Sequence, residues 1–174
     1  MSDQTHFHRA VPPGDTHERE VCKICNFVNY DNPKIVVGSV VRHAGKILLC
    51  RRAIEPRSGF WTVPAGYLEL NETPEDGARR EAREEALADL KLGELLAIYS
   101  VPRLSQVQLI YRAEFADQNK AQLFGIGEES QEVDLFEWDR IPWQDIAFPT
   151  VHWMLAQERK VQHQGYDGPS RNPD

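Results

Sequence analysis

Three glutamates in the middle of the chain have the spacing of a cation site. Glu81, Glu84 and Glu85 stand at i, i+3 and i+4, which on a helix places three carboxylates on one face, one turn apart. Like charges so placed repel one another unless a cation lies among them. Arg80 neutralises part of this charge, and Mg²⁺ would neutralise more, because a few carboxylates together with substrate phosphates are its usual ligands. A solvated acidic helix face is the alternative interpretation.

The residues before these glutamates predict a helix over about 74–88. Thr73 is a suitable N-cap, a proline follows at the first helical position, and acidic residues occupy the first turn. Gly77 lies within this helix, where glycine destabilises the helix by about 1 kcal/mol relative to alanine. It lies four positions before Glu81. It either keeps the acidic face clear for a ligand or packs closely against a neighbouring segment, and the sequence favours neither.

The acidic helix belongs to a longer pattern. Gly66, Glu72, Arg80-Glu81 and Glu84-Glu85 resemble the Nudix box, which reads Gly, five residues, Glu, seven residues, Arg-Glu, two residues, Glu-Glu. The box normally continues with one residue and then a glycine, but this chain has Leu87 at the glycine position. A glycine ends a helix easily in the left-handed conformation, which leucine adopts only at a cost. The end of the helix is therefore where the chain departs from the family.

Stretches outside the box resemble the branch of FAD and ADP-ribose pyrophosphatases, whose members carry a zinc ribbon ahead of the Nudix domain. These stretches are residues 11–15, 22–25, 32–34, 61–66, 105–107, 129–132, 141–143 and 146–148. Cys22 and Cys25 supply one cysteine pair where a ribbon has two, so half of a tetrahedral Zn²⁺ site is present. We expect a metal-free turn here, with Zn²⁺ bound by these cysteines and nearby histidines as the alternative. Cys50 lies in an apolar run and is predicted to be a core residue.

Five strands, the acidic helix and one terminal helix are predicted to position the glutamates. Strands are predicted over residues 34–41, 46–52, 92–101, 106–115 and 133–138, a flexible acidic loop over 125–130, and a final helix over 150–162. Glu158 interrupts the apolar stripe of that helix, so we expect the stripe to end there. The pattern predicts an α/β fold with mixed sheets, in agreement with the α/β/α sandwich that the resemblance implies.

We expect three segments along the chain. Residues 1–34 form a short, degenerate ribbon-like segment, residues 35–164 form the Nudix hydrolase domain, and residues 165–174 form a disordered tail because they show no periodicity.

Composition limits the partners and the compartment. The net charge of −7 argues against a general nucleic-acid binder. No stretch approaches the ~20 apolar residues of a membrane span, and the N-terminus lacks the features of a signal peptide. Three cysteines are too few for a disulfide framework, so a cytoplasmic location is expected. The expected partner is a small-molecule nucleotide, and a homodimer is kept as one possible assembly.

The resemblance implies a hydrolase that splits a diphosphate linking a nucleoside to another group, with water and Mg²⁺ or Mn²⁺. The implied metal ligands are Glu81, Glu84, Glu85 and the carbonyl of Gly66. Glu72 and Arg80 would orient these ligands.

Two further sets of residues are candidates for the chemistry. The general base is either a box glutamate or a carboxylate from the loop before residue 133, with Glu129 as first choice and Glu132 as second; a solvated acidic loop is the alternative. Candidate substrate contacts are two arginines and two aromatic residues: Arg52, Arg103, Trp61 and Tyr67. Solvent exposure of the arginines and buried packing of the aromatic rings are the alternative roles.

Three functional hypotheses follow from these residues. The favoured one is metal-dependent hydrolysis of FAD or ADP-ribose that releases AMP. A Nudix hydrolase acting on NADH or a nucleoside triphosphate is a variant of it. The second is a Nudix-fold sensor that binds a nucleotide without cleaving it, and the third is an interaction module built on Cys22 and Cys25.

Overall fold

The computed structural model describes residues 6–173. They divide between Pro33 and Lys34 into two compact units. The first five residues, on which the prediction about a signal peptide rests, lie outside the described part of the chain. The first unit is an antiparallel sheet of three short strands in the order β1-β2-β3: β1 (Phe7–Ala10), β2 (Arg19–Cys22) and β3 (Val28–Asn29).

The turn between β2 and β3 carries the cysteine pair. Asn26 takes a positive φ of 60°, and the backbone N–H of Cys22 donates to the Phe27 carbonyl at 2.8 Å. The Cys22 sulfur accepts backbone N–H bonds from Cys25 and Ile24, and these bonds lower the pKa of the Cys22 thiol. The turn therefore orients both cysteines locally, with Cys22 buried and Cys25 exposed.

The second unit is built on one seven-stranded mixed sheet. Its path runs β10-β5-β4-β9-β8, with β6 paired to β5 and β7 paired to β4; β4 and β9 are parallel and the other pairs antiparallel. In chain order the elements are β4 (Lys34–His43), β5 (Lys46–Arg52), β6 (Trp61–Thr62), β7 (Ala65–Tyr67), α1 (Pro74–Ala86), β8 (Leu90–Val101), β9 (Gln106–Phe115), β10 (Ser130–Phe136) and α2 (Pro149–Gln164). None of the helices in residues 6–173 is both long and apolar enough to cross a bilayer.

The two helices cover opposite faces of this sheet. Along β5, Ile47 and Leu49 belong to the apolar cluster that includes Leu155 of α2. Leu48 and Cys50 belong to a second cluster, which includes two alanines of α1. Because successive side chains of a strand point to opposite faces, the helices lie on the two sides of the sheet. The predicted α/β/α sandwich with a mixed sheet is confirmed.

The helix that carries the glutamates begins as predicted and ends differently. Thr73 caps α1 by accepting the backbone N–H of Asp76 at 3.1 Å. The helix ends at Ala86, and Leu87 follows in the left-handed conformation with φ 48° and ψ 31°. For a residue with a Cβ this conformation costs about 1–2 kcal/mol. Leu87 therefore makes the turn that the box normally assigns to glycine, and it carries the strain.

Gly77 packs closely against its neighbours. A Cβ at this position would lie 2.8 Å from Glu72 Oε1 and 2.9 Å from Val37 Cγ2. Of the two roles considered for Gly77, the structure supports close packing.

The prediction that the apolar stripe of α2 ends at Glu158 was wrong. Val161, further along, is buried, and Glu158 itself is fully buried. Its carboxylate accepts bonds from Arg112 Nε at 2.8 Å and Nη2 at 3.2 Å, and Arg42 Nε lies 3.2 Å from Glu158 Oε1. A carboxylate can be buried in a core face when such partners satisfy it.

The segment after α2 also differs from its prediction as a disordered tail. Ser170 donates its N–H to the Leu96 carbonyl and accepts the N–H of Ile98, both at 2.9 Å, so it pairs with β8 as a short strand would. The side-chain amide of Asn172 accepts from the Ser100 N–H and donates to the Ser100 carbonyl, each at 2.8 Å. Polar side chains supply order here, which a search for apolar periodicity does not detect.

Candidate active site

Arg80 occupies the centre of the acidic cluster and uses all five of its N–H donors. Nε and Nη2 donate to the two oxygens of Glu72 at 3.1 and 2.7 Å. Nη2 also donates to the Tyr67 carbonyl at 2.9 Å. Nη1 donates to Glu81 Oε1 at 2.7 Å and to Glu84 Oε2 at 2.8 Å. One arginine thus joins the end of β7 to three carboxylates.

Glu85 is the most deeply buried carboxylate of the cluster. Burial raises its pKa to about 8; the N–H of Ala65 and the charge of Arg52 oppose this, and the charges of Glu81 and Glu129 add to it. The Ala65 N–H lies 3.1 Å from Glu85 Oε2. For this buried carboxylate, one N–H donor and the charge of Arg52 do not offset the burial and the two acidic neighbours.

Gly66 lies against the second buried carboxylate, that of Glu81. A Cβ at Gly66 would lie 2.5 Å from the Glu81 carboxyl carbon, so a larger residue there would displace the Glu81 carboxylate. Burial raises the pKa of Glu81, Arg80 lowers it, and the charges of Glu84 and Glu129 raise it further. Gly66 pairs with Val37 of β4, and the sheet thereby holds its backbone beside the carboxylates.

The loop before β10 carries Glu129, whose charge raises the pKa values of Glu81 and Glu85. The N–H groups of Gly125 and Gly127 donate to the carbonyls of Ala86 and Glu85 at 2.7 and 3.1 Å. The expectation of a flexible loop is therefore corrected, since residues 125–127 are bound to the end of α1. The sequence did not identify these two glycines as site residues. The feature that could have pointed to them is their position, four and two residues before Glu129.

Two of the predicted substrate contacts lie beside the cluster. Arg52 affects the pKa of Glu85, and its Nε donates to the Pro56 carbonyl at 2.9 Å. Tyr67, next to Gly66, has an exposed ring, and its hydroxyl is 3.1 Å from Gln106 Nε2. Arg52 and Tyr67 are thus the two predicted contacts for which the structure shows an interaction with the cluster or its neighbouring strand end.

The remaining substrate candidates, Trp61 and Arg103, and the second candidate base have other surroundings. Trp61 is buried in the core, edge to face with Phe136 at a centroid distance of 4.8 Å, so packing replaces the predicted stacking role. Arg103 is exposed in the connection between β8 and β9, three residues before Gln106. Glu132, the second choice as base, pairs with Arg51 at 3.5 Å.

The donor set of the cluster fits a hard divalent cation. Carboxylates and a backbone carbonyl are oxygen ligands of the kind that Mg²⁺ and Mn²⁺ prefer, and four acidic side chains at Glu81, Glu84, Glu85 and Glu129 exceed the charge of Arg80. Within residues 6–173 no three His, Cys, Asp or Glu side chains are already arranged as a metal site. At α1 the Nη1 of Arg80 lies between Glu81 and Glu84.

Comparisons with known proteins agree with this geometry. The family model described as the NUDIX domain matches residues 32–156. The ADP-ribose pyrophosphatase of Methanocaldococcus jannaschii is 30% identical over 114 residues, which cover 65% of this chain and 67% of that protein. The NAD-capped RNA hydrolase NudC of Edwardsiella ictaluri is 32% identical over 136 residues, covering 76% of this chain and 50% of that protein. A MutT-like protein of Streptomyces ambofaciens is 40% identical over 79 residues, covering 45% and 49%.

This chain spans about half the length of the NudC and MutT-like relatives. Among solved structures, a NUDIX hydrolase from Nitrosomonas europaea superposes with a TM-score of 0.84 at 41% identity, covering 99% of this chain and 96% of that one. The box residues, the sandwich fold and the family match over residues 32–156 lead to one conclusion: this chain belongs to the Nudix family.

Proposed function

We propose that this protein hydrolyses the diphosphate bond of ADP-ribose or FAD and releases AMP. The observation that carries the proposal is the acidic face of α1, where Arg80 donates to both Glu81 and Glu84, Glu85 is buried beside them, and Gly66 lies against the Glu81 carboxylate. A diphosphate repels both these carboxylates and an attacking nucleophile, so the reaction needs a cation between them.

The residues that would hold Mg²⁺ or Mn²⁺ are Glu81, Glu84, Glu85 and the Gly66 carbonyl. When bound, the metal would screen the diphosphate charge and polarise a phosphoryl oxygen. The protein contributes the orientation of these ligands: Arg80 contacts both Glu81 and Glu84 and is itself fixed by Glu72.

Glu129 is the proposed general base. It is exposed to solvent, and it lies near enough to Glu81 and Glu85 to affect the pKa of each. A water that gives its proton to Glu129 attacks a phosphorus of the diphosphate, and the bridging P–O bond breaks. ADP-ribose then yields AMP and ribose 5-phosphate, and FAD yields AMP and FMN.

The ADP half common to both substrates would contact Tyr67 and Arg52. The exposed Tyr67 ring offers a face for adenine, and Arg52 offers a guanidinium group for phosphate. The relative named ADP-ribose pyrophosphatase supports this substrate class. NADH is the first alternative to test, because the sequence already left it open and because one relative is named for an NAD-containing substrate, NAD-capped RNA.

The test is a substrate panel with Mg²⁺: ADP-ribose, FAD, NADH and nucleoside triphosphates, with products separated by chromatography. We expect ADP-ribose or FAD to have the highest kcat/KM. A tenfold preference for a triphosphate, which corresponds to about 1.4 kcal/mol in transition-state binding, would contradict the substrate class. Tight binding in calorimetry without turnover of any substrate would instead indicate a sensor.

The metal site is tested with Glu84→Gln and Glu85→Gln. Each variant keeps the side-chain shape but removes one charge, and we expect kcat/KM to fall by at least ~100-fold. Glu137→Gln is the matched control, because Glu137 pairs with Lys46 on β5 instead of contacting the cluster. Full activity in EDTA, or in either cluster variant, would refute the metal-dependent mechanism.

A further inference from the structure

We propose that Leu87 and residues 125–127 form a docking contact that positions Glu129 against the carboxylates of α1. This inference rests on the proposed role of Glu129 as the base. It assigns a function to two glycines and one strained leucine that do not themselves contact the reacting atoms.

The first argument is hydrogen bonding at the end of α1. The last turn of a helix leaves carbonyl groups without intrahelical partners. Here the loop satisfies two of them, because Gly125 donates to Ala86 at 2.7 Å and Gly127 donates to Glu85 at 3.1 Å. The helix that carries the proposed metal ligands and the loop that carries the proposed base are therefore joined directly through their backbones.

The second argument is the closeness of the approach at Gly127. This residue is buried, and a Cβ there would lie 2.7 Å from the carbonyl carbon of Glu84 and 2.8 Å from that of Glu85. Both are backbone atoms of α1, which cannot move aside as the end of a side chain can. Only glycine permits the loop to approach the helix this closely.

The third argument is the leucine in a left-handed turn. Glycine would adopt the φ of 48° at Leu87 without strain. A Cβ on Gly125 would lie 3.1 Å from Leu87 Cδ1 and 3.7 Å from Leu87 Cβ. The leucine side chain thus borders the loop at Gly125, a contact that a glycine at position 87 could not make.

The docking fixes the segment that leads to Glu129. Ser130 donates its N–H to the Gly127 carbonyl at 3.1 Å, and the Glu129 carbonyl accepts the N–H of Ala53 at 2.8 Å. Glu129 is thereby held between the end of α1 on one side and the end of β5 on the other. A shift of the loop at Gly127 would be transmitted to the Glu129 carboxylate.

The principal test is Gly127→Ala. The added methyl group must displace the loop, and a misplacement of about 1 Å can reduce a rate by ~100-fold. We expect kcat to fall by about this factor while KM stays within about threefold and the Mn²⁺ affinity is retained. Gly93→Ala is the matched control, because a Cβ at Gly93 meets its nearest neighbour at an ordinary 3.5 Å.

A double-mutant cycle shows whether the effect passes through Glu129. If Gly127 acts by positioning the base, Gly127→Ala has no further effect on kcat in a Glu129→Gln background. A full additional loss in that background would overturn the proposal, and so would unchanged kcat in Gly127→Ala alone. Full activity of Glu129→Gln would overturn both the base assignment and the positioning role. Failure of the proposed function as a whole is a different result, namely a wild-type protein that is inactive on every compound of the substrate panel.

Leu87→Gly is a second variant, chosen because glycine adopts the left-handed turn at position 87 without strain. It removes the strain at position 87 together with the contact to the loop. We expect kcat to fall several-fold with no loss of Tm, and amide hydrogen exchange at residues 125–130 to become faster. If Leu87 had a purely structural role, Tm and activity would change together. Unchanged amide hydrogen exchange at residues 125–130 in this variant would contradict docking by Leu87.

Discussion

The buried carboxylate of Glu158 gives the sharpest prediction about stability. Replacement of Glu158 by alanine removes the partner of Arg112, whose side chain is only 13% exposed, and of Arg42. Breaking a buried ion pair by removing one member costs about 3–5 kcal/mol, and here Arg112 would lose its buried partner and keep only the exposed Glu94. For a chain of this size the loss corresponds to a Tm decrease of roughly 6–20 °C.

Glu94 is the matched control for this prediction. It pairs with the same arginine at 3.2 Å, but its side chain is 49% exposed, and an exposed pair contributes about 0–1 kcal/mol. Urea unfolding of Glu158→Ala and Glu94→Ala, followed by tryptophan fluorescence, compares the two partners directly. All four tryptophans lie in the second unit, so the signal reports that unit alone.

The outcome that refutes the reasoning is a similar loss in both variants. If Glu158→Ala and Glu94→Ala differ by less than about 1 kcal/mol in free energy of unfolding, burial does not decide the strength of the pair. Salt provides a second criterion, since 1 M NaCl should abolish the effect of Glu94→Ala and leave that of Glu158→Ala largely unchanged.

Three further predictions concern other parts of the chain. Gly77→Ala should destabilise the protein by about 1–3 kcal/mol despite the better helix propensity of alanine, because the methyl group has no space. Gly93→Ala is the control and should change the stability little. Chemical denaturation measures the free energy of unfolding of both variants. The pKa of Asp15 is lowered to about 2, chiefly by its hydrogen bond from Arg19. Stability from this group is therefore present above its ordinary value of 3.8 and lost as the pH falls through about 2, and Arg19→Gln should raise the pKa in an NMR titration. Purified protein should hold less than one equivalent of Zn²⁺ by mass spectrometry; stoichiometric Zn²⁺ lost in Cys22→Ser would contradict this.

The sequence predicted best those features that depend on residues close together in the chain. The spacing of Glu81, Glu84 and Glu85 follows from helix geometry, and the cap at Thr73 follows from side-chain chemistry within one turn. Apolar and β-branched runs located the longer strands of the large sheet because these strands bury one or both faces in the sandwich, whereas the three short strands of the first unit were not predicted. The fold and the central carboxylates could therefore be predicted from the sequence alone.

The features that the sequence did not reveal depend on partners far away in the chain. Glu158 was predicted as the end of an apolar stripe because its partner Arg112 is 46 residues away. Trp61 was a candidate for stacking, but it is a core residue because distant residues such as Phe136 of β10 pack against it. The docking of residues 125–127 depends on backbone carbonyls of α1, which no residue type indicates.

The two outer strands of the large sheet are protected in different ways. β10 has a single partner, β5, and carries Glu132 and Asp134, charges that oppose pairing with another chain. On β8, residues 95–100 read Leu-Leu-Ala-Ile-Tyr-Ser and carry no charge, and it is residues 166–172 that cover this strand. A chain whose tail is displaced exposes an uncharged row of unpaired backbone groups, the kind of edge at which sheets of separate molecules join. We therefore expect residues 166–172 to help keep the folded molecules from aggregating, independently of any contribution to catalysis.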